Sequence, residues 1–391
     1  QVGGLIVTED STHAGRQVHP VYIDDNETLR KFCLQWQHAA VLALDTEFIR
    51  TDTFYPIGAL LQISEGTGCF LIDPLSIDDF SPLTALLTDP AIVKVLHSCS
   101  EDLEVFERLF QVLPQPLIDT QIAAGLDGYG FSLGYQKMTE ALLQIHVAKG
   151  ETRSNWLQRP LTESQIHYAA LDVAYLPEMY QQLKQSLESK GRWQWLLDEC
   201  SPLTNGQSDT DAITQYYKKV KSVWKLSSRQ LGVLRLVVEW RESEARHRDR
   251  PRGRILKDKS CFEIARTQPR DVKALSSIED VGQSTLRNYG QELLKLVMTG
   301  IKLAESELPA QLPKPLPPQT GTLLKQLKAH VSHRAEHLQM APELLVRKRD
   351  YEELLRSGFN NRDYRLPASL CGWRKDVIGD DLLNIVLKQS T

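Results

Sequence analysis

Apolar and polar positions divide the chain into a front block that reads as mixed strand and helix and a remainder that reads as helix alone. DNETLRKFCLQWQHAA, Asp25 to Ala40, opens with cap-type residues and spaces Leu29, Phe32, Leu34 and Trp36 as an amphipathic helix. VLALDTEF follows as a buried strand. GALLQIS and GCFLIDP are two further strand-like runs, and the turn-forming Glu65-Gly66-Thr67-Gly68 between them predicts a hairpin. IVKVLH reads as a strand feeding SEDLEVFERLF, where Ser100 is placed to cap a helix beginning near Glu101. Beyond it, SLGYQKMTEALLQI and TESQIHYAALDVAYLPEMYQQLKQSLESKG are helical, and Thr162 with Gln165 has the form of a capping box. Strands gathered ahead of helices predict a mixed α/β sheet domain.

Two stretches interrupt this pattern. SPLTNGQSDTD, Ser201 to Asp211, is rich in turn formers, and LPAQLPKPLPPQTG, Leu308 to Gly321, is too proline-dense to continue a helix. At 391 residues the chain exceeds what one core usually organises. The expected organisation is a disordered or artificial tail over 1–16, an α/β domain over 17–202, a linker over 203–215, an all-α domain over 216–303, a proline-rich linker over 304–321 and a second all-α domain over 322–391. No repeat of fixed period stands out.

Composition narrows the class. With 41% hydrophobic and 25% charged residues the chain is ordinary globular protein, not disordered or collagenous. The apolar run LGVLRLVVEW is interrupted by Arg235, so nothing reaches the roughly 20 residues of a membrane span. Six cysteines without a C-x-x-C pair fit reduced thiols, hence a cytoplasmic protein, better than disulfides or a zinc site. The net charge of −4 hides an asymmetry: residues 1–215 carry 13 Lys/Arg against 29 Asp/Glu, residues 216–270 carry 16 against 6, and the rest 17 against 15. An acidic block joined to a compact basic block suggests concentrated carboxylates with an attached polyanion-binding surface.

The carboxylates supply candidate chemistry. Asp45 and Glu47 lie two apart in a strand, on one face, directly after an apolar run. Buried clustered acids call for a cation, and oxygen-only ligands favour Mg²⁺ or Mn²⁺. Asp102 stands at a helix start, where it could serve only to complement the helix dipole. Asp172 sits among Ala169, Ala170, Leu171, Val173 and Ala174, with Tyr168 one turn earlier on the same face, either acting beside it or packing. His97 and Cys99 near Asp102 invite a Cys/His nucleophile reading that nothing else in the sequence supports. A P-loop and an H-E-x-x-H zinc motif are both absent.

LALDTEF, HSCSEDLEVF and HYAALDVAYL, in this order and spacing, resemble the three exonuclease motifs of the DEDD superfamily as they stand in ribonuclease D. KGETRSNWLQRPL resembles the segment before the third motif, with Asn155 where an Asp is common. YYKKVKSVWKLSSRQLGVLRLVVEWRESEARHRDRPRGRILKD resembles an HRDC module, and APELLVRKRDYEELL with GWRKDVIGDDLL a second one.

The resemblance implies a ribonuclease-H-like α/β exonuclease domain, a mixed sheet flanked by helices, followed by two all-α HRDC-like domains. It implies that Asp45, Glu47, Asp102 and Asp172 gather two Mg²⁺ or Mn²⁺ ions roughly 3.5–4 Å apart, which activate a water and stabilise the leaving oxygen of a phosphodiester. Asp45 would bridge both ions, Glu47 and Asp172 would complete the site of the water-bearing one, and Asp102 would hold the other. A tyrosine pKa of about 10 makes Tyr168 an orienter of the water rather than its base. His167 has the spacing of the superfamily's histidine branch and Tyr168 that of its tyrosine branch. Consecutive helical residues point about 100° apart, and the HYAALD context selects Tyr168.

Arg246, Arg248, Arg250, Arg252, Arg254 and Lys257 would then neutralise phosphates, with Lys259 beside them and Trp224 or Tyr217 stacking or packing. The expected activity is 3′→5′ exoribonuclease action releasing nucleoside 5′-monophosphates, acting as a monomer on tRNA precursors or other structured RNA with an unpaired 3′ end. The alternatives are a DNA 3′→5′ exonuclease and a non-catalytic RNA-binding adaptor. Intact acids disfavour the adaptor.

Overall fold

The structure, a computed structural model, describes residues 18–148, 150–151, 154–205, 209–359 and 361–388. The expected tail over 1–16 lies outside them. Two compact units divide the chain: one gathers 1–49, 58–204 and 319–391, the other 50–57 and 205–318. Among the described residues no helix is long and apolar enough to cross a membrane.

The first unit is built on six strands: β1 (Val21–Ile23), β2 (Val41–Ile49), β3 (Ile57–Ser64), β4 (Phe70–Ile72), β5 (Val93–Leu96) and β6 (Leu117–Asp119). They lie in the order β1-β4-β3-β2-β5-β6. The hairpin expectation holds: β3 and β4 run antiparallel with Leu61 opposite Ile72 and Ile63 opposite Phe70. The β1–β4, β2–β5 and β5–β6 pairs are parallel, so the sheet is mixed, with β2 near its centre.

Helices α1 (Asn26–Trp36), α2 (Ser81–Thr88), α3 (Ser100–Phe110), α4 (Thr120–Asp127), α5 (Tyr135–Leu143), α6 (Glu163–Ala174), α7 (Leu176–Ser189) and α8 (Trp193–Cys200) accompany the sheet. Asp25 caps α1 by accepting the Thr28 N–H at 2.8 Å, and α1 buries Leu29, Cys33 and Trp36. Leu34, expected on that face, is exposed because i+5 from Leu29 points elsewhere on a helix of 3.6 residues per turn. The long helical run after Thr162 breaks at Tyr175, where Pro177 opens α7. Lys94, fully buried on β5, donates to the carbonyls of Asp89 and Ile92 at 2.7 and 2.6 Å, satisfying groups beyond the end of α2.

The same unit includes α15 (Gly321–Leu338), α16 (Pro342–Leu345), α17 (Lys348–Gly358) and α18 (Asp380–Lys388). Trp195 and Trp373 stack with centroids 4.4 Å apart. Beside them Arg192 donates to the Leu126 and Leu338 carbonyls, and Arg374 pairs with Glu199.

The second unit comprises α9 (Asp209–Gln215), α10 (Ser228–His247), α11 (Arg252–Ile255), α12 (Asp258–Thr267), α13 (Val272–Ser276) and α14 (Gln283–Ile301). Ser227 and Gln230 form a capping box at the start of α10, whose Leu231, Leu234, Val237 and Val238 pack against Ile264, Leu293 and Val297. An α/β sheet unit and a separate all-helical core match the expected fold class.

Candidate active site

β2 carries Asp45 and Glu47 on one side by the two-residue strand period, and α6 brings Asp172 to them. One oxygen from each of the three lies within 4.8 Å of the other two. Asp102, at the third position of α3, stands outside that tight group but is hydrogen-bonded to the same strand: the Thr46 hydroxyl donates to its Oδ1 at 2.5 Å. Asp102 also raises the cost of ionising both Asp45 and Glu47. The four acids expected from the sequence therefore occupy one locality, three in bonding reach of a common centre and the fourth behind Thr46.

The start of α3 is held differently from the sequence expectation. Ser100 does not cap it. The buried Asp119 carboxylate accepts the Ser98 and Cys99 N–H groups at 3.0 Å while also capping α4 through Gln121 N–H at 2.8 Å. One side chain from β6 thereby fixes both helix entries. Ser98 has φ +60°, a strained conformation that this clasp pays for. Burial, then the Asp119 charge, pushes the Cys99 thiol pKa up, which removes any case for a thiolate nucleophile. His97 Nδ1 lies 3.0 Å from the Thr120 hydroxyl, away from that role.

Electrostatics explains what the cluster can do. Burial, then repulsion from Asp172 and Asp102, pushes Glu47 from 4.5 to about 9. Burial raises Asp172 to about 7 despite the hydrogen bond from Tyr168, and Asp102 to about 6 despite that from Thr46. Asp45 is raised well above the carboxylate range by burial and by all three neighbours. Among the described residues no Lys or Arg contributes a compensating charge to any of the four. Crowded carboxylates with no cationic side chain and oxygen-only donors fit hard divalent cations of the Mg²⁺ or Mn²⁺ type.

Tyr168 hydrogen-bonds Asp172, and burial followed by the Asp172, Glu47 and Asp45 charges raises its pKa, so the phenol keeps its proton. His167 is exposed. The sequence reading missed what positions this ring. Trp156, 2% exposed, tilts against it at 6.1 Å, and a Cβ at Gly150 would come within 2.5 Å of its Cδ2. Trp156 is held in turn by Arg159, which donates to the Trp156 carbonyl and forks onto Asp73 at 2.6 and 2.7 Å. Tyr22 donates to the same carboxylate at 2.7 Å. The only hint was that Gly150, Trp156 and Arg159 lie in the KGETRSNWLQRPL segment; Tyr22 and Asp73 are distant in sequence. Asn155 in that segment accepts the Leu157 N–H through Oδ1, a turn an Asp would make equally well, so the departure alters charge and not geometry. Tyr135, also unforeseen, is half-buried and donates to the Leu171 carbonyl next to Asp172 at 2.6 Å.

The expected phosphate-binding arginines have other partners. Arg246 and Arg252 converge on the buried Glu242 at 2.9 Å each and lie over the Phe54 ring at 4.5 and 5.1 Å. α10 ends at His247, so Arg248 and Arg250 are not on its body. Arg248 pairs with Glu244, Lys257 with Asp280 at 2.8 Å and Lys259 with Glu279, while Arg254 approaches Asp52 at 3.8 Å and Arg250 is exposed. Asp249, at φ +47°, accepts the Phe54 and Tyr55 N–H groups at 2.9 Å, which ties segment 50–57 into the second unit.

Comparison with known proteins agrees with the chemistry. The 3′-5′ exonuclease family model matches residues 20–188, the HRDC domain model 230–297, and the model of the ribonuclease D C-terminal HRDC domain 318–382. The chain is 46% identical over 363 residues to a ribonuclease D of Pseudomonas paraeruginosa, covering 93% of this chain and 96% of that one. It is 36% identical over 366 residues to that of Escherichia coli, covering 93% and 97%. The crystal structure of Escherichia coli RNase D superposes with a TM-score of 0.85 at 35% identity, over 95% of this chain and 99% of that one. Identity at this level along nearly the full length of both proteins, on a fold whose sheet assembles these acids, means that the chain belongs to the ribonuclease D family of 3′–5′ exoribonucleases.

Proposed function

We propose that Asp45, Glu47, Asp102 and Asp172 hold two divalent cations, Mg²⁺ or Mn²⁺, and that the site hydrolyses the terminal phosphodiester of RNA to release nucleoside 5′-monophosphates. The observation that carries this reading is the convergence of Asp45, Glu47 and Asp172 oxygens within 4.8 Å, with no Lys or Arg among the described residues prominent in their electrostatics. Such ions supply an activated water at neutral pH and offset charge on the departing oxygen. Asp45, whose ionisation is opposed by all three other acids, would gain most from a cation and would be a ligand shared by the ions. Glu47 and Asp172 would complete the ligand set beside Asp45 for the ion that activates the water, and Asp102, hydrogen-bonded by Thr46, would hold the second ion.

Tyr168 acts through its retained proton. With that proton held in a hydrogen bond to Asp172, its oxygen would accept from the attacking water and so orient the water's lone pair toward phosphorus, without removing a proton itself. The exonuclease domain is assigned to 17–202 and the helical domains to 216–303 and 322–391. Structured RNA with an unpaired 3′ end, tRNA precursors included, is the proposed substrate. The Escherichia coli enzyme, whose structure is described as that of an exoribonuclease involved in structured RNA processing, supports this choice.

The test is incubation of 3′-labelled RNA and DNA of one sequence with Mg²⁺, Mn²⁺ or EDTA. Mononucleotide release from RNA, dependent on metal and abolished in Asp45→Asn, is expected. Oligonucleotide products, or release that survives EDTA, would overturn the two-ion exonuclease, and equal release from DNA would overturn the RNA assignment.

A further inference from the structure

Between Asp211 and Glu239 the sequence contains no acidic residue, yet it contains Lys218, Lys219, Lys221, Lys225, Arg229 and Arg235. The two arginines are engaged: Arg229 with Glu305 and the Leu303 carbonyl, Arg235 with Glu239 and the Glu307 carbonyl. The four lysines are not. All are exposed, on or between the successive tight turns Tyr216–Lys219 and Val223–Lys225 that lead into α10, and among the described residues none meets a carboxylate or a carbonyl. Three of them lie over aromatic rings: Lys218 over Tyr217 at 5.9 Å, Lys219 over Tyr216 at 5.6 Å and Lys225 over Trp224 at 5.5 Å. This reverses the expectation from charge density alone, since the neighbouring run from Arg246 to Lys259 is denser in cations but largely neutralised by Glu242, Glu244, Asp280 and Glu279.

We infer that Lys218, Lys219, Lys221 and Lys225 form a binding surface for the RNA phosphate backbone, in preference to the arginine run. The inference rests on the exoribonuclease reading for its ligand. A cation already paired with a carboxylate must break that pair before it can meet a phosphate, whereas a solvated ammonium gains the full counterion release. The rings steady the lysine stems at the weak end of cation–π strength, so little is lost when a phosphate displaces them. Buried Tyr217 and Val223 anchor both turns to the helical core, so the four charges stand on a fixed base. Lysine is a point charge without a planar fork, so this surface favours backbone over base and raises affinity without sequence preference.

The test uses the full chain and a structured RNA with a 3′ overhang, with binding followed in EDTA across a salt series. Lys218→Gln, Lys219→Gln, Lys221→Gln and Lys225→Gln are combined in one variant. A control of equal charge combines Arg270→Gln, Lys273→Gln, Arg287→Gln and Lys302→Gln, all exposed in the same unit. At about 0.7 per single-strand contact, the slope of log K against log salt should shrink by about 3 in the lysine variant and by less than about 1 in the control. Equal shrinkage in both variants, or an unchanged slope in the lysine variant, overturns the surface. Metal-dependent release from a trinucleotide, which offers only two phosphodiesters, should be the same in all three proteins. Its absence from the unsubstituted chain would sink the exoribonuclease reading, while the salt slopes would still decide the surface.

Discussion

Replacing Asp45 by Asn should stabilise the metal-free protein while abolishing its activity. In EDTA at pH 8 the fold must hold several acids that resist ionisation. Glu47, with a pKa near 9 against 4.5 in the unfolded chain, is raised first by its own burial and then by its neighbours. At about 1.4 kcal/mol per pKa unit the nominal cost of that one group approaches about 5 kcal/mol at pH 8. Both Asp45 and Glu47 are only half-buried, and solvent screening reduces this to roughly a third. Asp172, raised to about 7, adds a similar discounted amount. Asp45→Asn deletes the member whose ionisation is opposed by burial and by all three other acids, for a net gain of about 2 kcal/mol, or about 5 °C in the melting temperature of a domain this size.

The sign follows from raised acids. Below pH about 4.5 they are protonated in both states and cost nothing, and stability is lost as pH climbs through the folded pKa values near 7 and 9. The advantage of the Asn variant should therefore be near zero at pH 5 and largest above pH 8. Saturating Mn²⁺ should reverse the order, because only the native cluster gains binding energy, about 2.7 kcal/mol at a hundredfold excess over Kd. Thermal melts of both proteins at pH 5, 7 and 8.5, with EDTA and with Mn²⁺, decide the matter. Coincident melts in EDTA at pH 8.5, or an Asn advantage that persists at pH 5, would refute the claim that the fold holds uncompensated charge for a metal.

Three further outcomes follow from the surroundings of Tyr168. Tyr168→Phe should lower kcat by about 10²-fold with little change in KM, and His167→Ala should leave both near normal; the reverse result in single-turnover assays would give the role to the exposed histidine. Gly150→Ala should displace the tyrosine ring, which a new Cβ would meet at 2.5 Å, and lower kcat by about tenfold with the melting temperature nearly unchanged; undiminished turnover would mean that the loop yields instead. Arg159→Met should strand the buried Asp73 carboxylate and destabilise the fold by about 3 kcal/mol in urea titration, a loss that Asp73→Asn in the same chain should partly repair; additive losses would mean that the two do not act as a pair.

Much of the fold was legible because it is written locally. The β3–β4 hairpin is announced by two apolar runs around a four-residue turn, and the α6 start by the Thr162–Gln165 box, both of which need only neighbours in sequence. Strands of three residues, β1 and β6, carry too few positions for any period to register, and α2 reads simply as an apolar stretch. The capping of α3 was misread for a related reason: Ser100 was the local candidate, but the acceptor is Asp119, some twenty residues on in a strand that was itself invisible.

The same distinction between local and distant contacts separates the acids from the arginines. Asp45 and Glu47 stand out because two charges interrupt an apolar strand, a pattern whose cost is intrinsic to the strand and which therefore signals a function before any partner is known. A run of arginines on the end of a helix carries no such cost, since each can find a carboxylate anywhere within reach. Glu242, ten residues or fewer from both Arg246 and Arg252, looks like an ordinary surface acid in sequence and is fully buried in the fold. Its burial gives Arg246 and Arg252 an internal carboxylate partner beside the Phe54 ring. Charge density in a sequence thus marks where cations are, whereas their partners are settled by the fold: in the acid-free stretch from Ala212 to Val238, Arg229 and Arg235 reach acids outside it while Lys218, Lys219, Lys221 and Lys225 stay solvated.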